Sequence, residues 1–211
     1  AIEVGDANAT LGLADRYVVV PDGGATEFST ESFTIGIWVK GDLTKGGAQQ
    51  LYINGSWGTE YGHAKPAGGN RYEMFWYDDT GLVGFCLDDD PDKTACQTTI
   101  AASLTTDWQH IAGVRDTDAV KVRLYHNGTM ALEVADITTD VTSVDEPLTI
   151  GCKGAGSPAS PTPSLITHGL LDDMKMYNYA LSDEELLGCM LPDPIAKWKM
   201  DQVSSAKTTD D

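Results

Sequence analysis

Residues 170–187 read LLDDMKMYNYALSDEELL, and the reading of this stretch decides the fold. Taken with period two, Asp172, Met174 and Met176 fall on one face, while Asp173, Lys175, Tyr177 and Tyr179 fall on the other. One carboxylate thereby lies on the apolar face. A buried, unpaired carboxylate costs several kcal/mol, so Asp172 is expected to be tied down by backbone N–H groups or by a cation. The strand ends at Ala180-Leu181. Ser182, with Glu185 three residues on, then reads as a capping box that opens a short helix.

Two further segments carry the same kind of alternation. In Ser32-Phe-Thr-Ile-Gly-Ile-Trp-Val-Lys40, Phe33, Ile35, Ile37 and Val39 share a face, which leaves Trp38 on the opposite side, expected under a loop. Asp107-Trp-Gln-His-Ile-Ala-Gly-Val-Arg115 is followed by Val120-Lys-Val-Arg-Leu-Tyr-His-Asn-Gly128. There Val120, Val122 and Leu124 point one way and Lys121, Arg123 and Tyr125 the other, as in a sheet with one wet face. Asn127-Gly128 predicts a type I′ hairpin into residues 130–134.

In order and spacing these three segments resemble the laminin-G-like branch of the concanavalin A-like lectin/glucanase superfamily, over roughly residues 11 to 187. The resemblance implies an all-β, two-sheet antiparallel jelly-roll sandwich. That fold carries lectins, polysaccharide-binding modules, adhesion domains and glycosidases alike, so function has to come from the site. It also implies a structural calcium ion, often held by an aspartate of the closing strand together with backbone carbonyls. Asp172 stands at that position, with Asp15 as a further candidate ligand and Asp6 behind it. Arg16-Tyr-Val-Val-Val-Pro21 resembles the family's second strand. Ile195-Ala-Lys-Trp-Lys-Met-Asp201 resembles an opening strand, which either returns to this domain's edge or begins a second copy. The domain is therefore taken as residues 1–190, and residues 191–211 as a linker or returning strand. The chain is expected to be a mature or excised piece of a longer, multidomain protein.

Composition agrees with this class. The 211 residues are 41% hydrophobic, enough for one sizeable core, and the 22 glycines and 9 prolines punctuate short β-rich runs. A formal net charge of −18 opposes nucleic acid and anionic membranes as partners, and no apolar run is long enough for membrane insertion. The excess acid suits a solvated surface, with calcium binding as the sharper alternative. Four cysteines allow three pairings. Cys86 and Cys96 flank an acidic loop, while Cys152 and Cys189 follow a strand and the terminal helical turn. Two disulfides, Cys86–Cys96 and Cys152–Cys189, are expected, with a secreted, extracellular or cell-surface location. Asp88-Asp-Asp-Pro-Asp92 lacks the glycine and the distal glutamate of an EF-hand and reads as a solvated loop.

Binding is better supported than cleavage. Glycoside hydrolysis needs two carboxylates held across the scissile bond. The superfamily's alternating E-x-D-x-E or E-x-D-x-x-E motif does not occur, and Glu133-Val-Ala-Asp136 places its two acids on opposite faces. Sugar rings stack on flat aromatics and need polar partners for their hydroxyls. Trp57, Tyr61, Tyr72, Trp76 and Tyr77, with Asn70 and Arg71 nearby, supply both. They lie in and after a glycine-rich connection longer than two strands require. The expected function is a non-catalytic carbohydrate-binding module for a polysaccharide or glycan, with further modules of the same chain as additional partners. The alternatives are an adhesion module of the same fold, or a glycan-cleaving enzyme with an unfamiliar site.

Overall fold

Phe33, Ile35, Ile37 and Val39 do form one buried row, at the centre of the first of two sheets. The computed structural model describes residues 2–4, 17–42, 47–55, 70–77, 80–89, 97–141, 146–153 and 165–190. In chain order the strands are β1 (Ile2–Val4), β2 (Val18–Val20), β3 (Phe33–Gly41), β4 (Ala48–Gly55), β5 (Arg71–Tyr77) and β6 (Leu82–Asp88). They continue as β7 (Gln97–Ser103), β8 (Gln109–Asp116), β9 (Lys121–His126), β10 (Thr129–Ala135), β11 (Leu148–Ile150) and β12 (Gly169–Tyr177), followed by helix α1 (Asp183–Cys189). One sheet runs β1-β12-β3-β8-β9-β10 and the other β2-β11-β4-β5-β6-β7, with antiparallel pairing throughout. The two-sheet sandwich that the resemblance implies is therefore the observed architecture. The candidate terminal strand at residues 195–201 lies outside the described residues.

The core lies between the sheets. Ile111, Val122, Leu124 and Leu171 join the β3 row from the first sheet, and Tyr72, Met74, Trp76, Val83, Phe85 and Leu87 face them from the second. Burying each such side chain contributes about 1.5–3 kcal/mol, so this layer dominates the stability. Gly113 of β8 lets the sheets approach, since a Cβ there would meet the Phe85 ring at 2.6 Å. The β9–β10 turn is as expected: Asn127 (φ 49°) and Gly128 (φ 75°) both take the left-handed conformation that a type I′ turn requires. Val120 departs from the expectation. It has φ 56° in the turn before β9 and is 54% exposed, so the inward row of that strand starts at Val122.

The closing strand departs from it more consequentially. On β12, Asp172 pairs with Trp38 and Lys175 pairs with Gly36, so two residues, Asp173 and Met174, oppose the single Ile37. The extra residue is Asp173, at φ 47°. Such a bulge shifts the alternation by one place. Leu171 is therefore in the core, Met174 and Met176 pack against it, and Asp172 is exposed on the opposite, outer face. This corrects the expectation that Asp172 points inward with the methionines.

After β12 the chain turns across the outer face of the first sheet. Ser182 accepts the Glu185 N–H at 3.3 Å, and Glu185 Oε2 accepts the Ser182 N–H at 2.8 Å, which completes the expected capping box. Leu181 and Leu186 then bury against Ala112, Val114 and Tyr125, forming a small second core under α1. The Tyr125 hydroxyl donates to Asp183 Oδ1 at 2.7 Å.

Cys189 sits on α1, outside the first sheet, whereas Cys152 is fully buried just after β11 of the second. Sheets pack about 10 Å apart, and a disulfide needs Cα atoms within about 7 Å. No bond joins the two, which corrects the expected Cys152–Cys189 bridge.

Candidate functional site

Alternation along β5 sorts the expected binding residues onto opposite faces. Tyr72 and Trp76 point inward with Met74 and are fully buried. The Tyr72 hydroxyl donates to the Thr26 carbonyl at 2.7 Å, and burial pushes its pKa well up. Neither ring offers a face to a sugar, so both leave the expected binding set as core residues. Arg71, Glu73, Phe75 and Tyr77 share the outer face, opposite Asp88, Cys86, Gly84 and Leu82 of β6.

The outer face has two ends. At the start of β5, beside half-exposed Asn70, the Arg71 Nε donates to Glu73 Oε1 at 3.0 Å and its Nη1 pairs with Asp88. The Arg71 Nη2 lies 4.0 Å from the Cys86 sulfur. All three charged side chains are at least nine-tenths buried, so the cluster is a desolvated charge-assisted network with two acids to one base. Gln50 of β4, opposite Phe75, donates to the carbonyls of Tyr52 and Met74 at 2.8 and 3.0 Å, and its buried Oε1 has no partner. At the far end of β5 the aromatics emerge. The Phe75 ring lies over Gly84, where a Cβ would meet it at 2.4 Å, and touches Tyr77 edge-on at 5.5 Å. Tyr77 is 36% exposed, making it the described member of the expected aromatic set with an accessible ring.

Six residues separate Arg71 from Tyr77, which is about 20 Å along a strand, so the expected residues do not converge on one point. Trp57 and Tyr61 lie outside the described residues, in the connection from Gly55 to Asn70. Sequence reasoning missed Glu73 and Asp88. Glu73 is signalled by its two-residue spacing from Arg71. Asp88 had been assigned to a solvated loop, and only the β5–β6 register brings it to Arg71. Asp89 accepts from the Thr139 N–H and hydroxyl at 2.7 and 2.8 Å, and Asp90 to Asp92 lie outside the described residues.

The calcium expectation centres on Asp172. Its carboxylate is exposed, its Oδ1 accepts the Asp173 N–H at 2.9 Å, and no cluster of three potential ligand side chains occurs among the described residues. Asp15 and Asp6 lie outside them. Among the described residues no helix is long and apolar enough to cross a membrane.

A family model described as the concanavalin A-like lectin/glucanases superfamily, Laminin_G_3, matches residues 12–187. The chain belongs to this superfamily. Among solved structures, the carbohydrate-binding module CBM40 of the Ruminococcus gnavus IT-sialidase, bound to α2,3-sialyllactose, is similar at 19% identity and a TM-score of 0.60, covering 82% of this chain and 95% of that one. The NanB sialidase of Streptococcus pneumoniae is similar at 17% identity and a TM-score of 0.60, covering 84% and 28%. The leech intramolecular trans-sialidase gives 19% and 0.59, covering 83% and 27%. This chain thus spans about a quarter of each whole sialidase and nearly all of the single module, and the likeness is one of fold. No curated protein matches the sequence.

Proposed function

We propose that this chain is a non-catalytic carbohydrate-binding module of a larger secreted protein, working outside the cell or at its surface. The observation that carries the reading is the extent of the fold match: 95% of a module solved with sialyllactose is covered by 82% of this chain. The outer face of the second sheet supports it, with an accessible Tyr77 at one end and the Arg71–Glu73–Asp88 network fixing the other. The connection carrying Trp57 and Tyr61 leaves β4 and returns to β5 beside that network.

A Cys86–Cys96 bridge belongs to the same reading. It is supported by Cys86 being bonded through its sulfur, with neither Cys152 nor Cys189 in a disulfide, which leaves Cys96, outside the described residues, as its candidate partner. Calcium belongs to the same reading, with Asp172 and Asp15 as its candidate ligands.

A glycan array probed with the whole chain, with and without EDTA, tests all of this. Binding to at least one glycan class is expected, weakened in Trp57→Ala or Tyr77→Ala with melting temperature unchanged. Loss of binding in EDTA places a cation in the site. An array without hits at millimolar glycan removes the reading in favour of adhesion.

A further inference from the structure

On the opposite side of the sandwich, β12 runs out through Tyr177-Asn178-Tyr179 and enters α1 through Leu181-Ser182. Tyr179 is 48% exposed and Tyr177 half-buried, and their rings meet edge to face at 5.9 Å and 73°. The backbone beneath them is anchored. The fully buried Thr34 Oγ1 donates to the Tyr179 carbonyl at 3.0 Å and accepts the Leu181 N–H at 2.9 Å. Leu181 is itself buried, so the two rings project from a segment held at both ends.

Two cavities flank the pair, and Met176, Tyr177 and Tyr179 line both. One, of about 540 Å³, lies toward α1 and is bounded by Lys175, Glu185 and Cys189. The other, of about 360 Å³, lies toward the β2–β3 connection and is bounded by Glu27, Phe28 and Asn178. Each falls in the size range of small-ligand sites. Both rings line both cavities, and carbohydrate C–H faces stack on aromatic surfaces of this kind. Asn178, Glu27 and the two phenols are within the same rim to meet hydroxyl groups.

The charge around the platform selects among saccharides. Glu27 and Glu185 line the cavities, and the cation there, Lys175, pairs with Asp173 at 3.0 Å and donates to the Cys189 carbonyl at 2.9 Å. Among the described lining residues acid outnumbers base, so an anionic sugar would meet net negative charge and an uncharged one would not be repelled.

We propose that Tyr177 and Tyr179 form a stacking platform for an uncharged saccharide, separate from the outer face of the second sheet. It rests on the reading of the chain as a glycan-binding module and names a second surface for that activity. Calorimetric titration of the whole chain with cellohexaose, xylohexaose and lactose as neutral probes, and 3′-sialyllactose as the anionic one, provides the test. At least one neutral probe is expected to bind. Tyr179→Ala should weaken it roughly tenfold or more, as loss of an aromatic anchor does, and Tyr179→Trp should restore it. Near-UV circular dichroism of each variant verifies the fold. Neutral binding unchanged in Tyr179→Ala overturns the platform and leaves the module reading standing. Preference for 3′-sialyllactose that is lost in Tyr179→Ala overturns the choice of an uncharged ligand. Failure of every probe to bind overturns both.

Discussion

His110 is a residue whose protonation this fold opposes. Burial lowers its pKa to about 4, with Lys175 adding to the effect and Asp173 working against it. The ring is 2% exposed, packs edge-on against Trp38 at 5.5 Å, and its Nδ1 has no hydrogen-bond partner among the described residues. The unfolded chain therefore takes up this proton first as pH falls. Stability is complete above about pH 6.5 and declines toward pH 4, and the gap corresponds to on the order of 3 kcal/mol. Urea denaturation of the wild type and of His110→Phe at pH 7 and pH 4 should show the smaller decline in the variant, and equal declines would exclude a neutral buried histidine. Arg71 carries a second prediction. Arg71→Met leaves Glu73 and Asp88 buried without their guanidinium, which should cost about 3–5 kcal/mol in the same assay. At this scale alternation along residues 71–77 puts Tyr72 and Trp76 on the face of Met74 and Tyr77 on the other, a division that an expectation based on aromatic composition passes over. The sequence contains no statement of how deeply the outward members lie, because depth depends on what covers them.

Among the elements, β12 and α1 show the contrast between local and non-local determination. The capping box is local: Ser182 and Glu185 are three residues apart and need only a helical turn to meet. Ser182→Ala should lower stability by about 1 kcal/mol, read as a fall in thermal midpoint. The bulge is different. Asp173 occupies a left-handed conformation that side chains disfavour, and deleting it would turn the segment on one side of the gap over. Deletion of Asp173 should cost several kcal/mol or abolish folding. Asp173→Gly should stay within about 1 kcal/mol of wild type, since relief of backbone strain offsets loss of a surface pair with Lys175. A deletion variant as stable as the wild type would show that β12 tolerates the unbulged register.

For the whole molecule the governing quantity is charge. A net −18 on 211 residues repels itself, and added salt screens that repulsion. Raising NaCl from about 20 mM to about 500 mM should raise the thermal midpoint by several degrees. A midpoint independent of salt would mean that the acids are locally compensated. The same field makes the chain a poor ligand for anionic surfaces and weighs toward neutral glycans at the Tyr177–Tyr179 platform.

From its sequence alone this protein could be read as a double-layered antiparallel β structure. Apolar alternation in residues 33–39 and 120–126, the Asn127-Gly128 turn and the Ser182 cap act over neighbours a few residues apart, where the chain has little freedom to choose otherwise. Only the tertiary structure decided that Asp172 faces outward, that Cys152 and Cys189 stay apart, that Asp88 joins Arg71, and that Glu27 lines one cavity with Tyr179. Each of these depends on strand register and on which layer covers which. Register is settled by the summed burial of a whole sheet, so one inserted residue at position 173 outweighs the local pattern on either side of it.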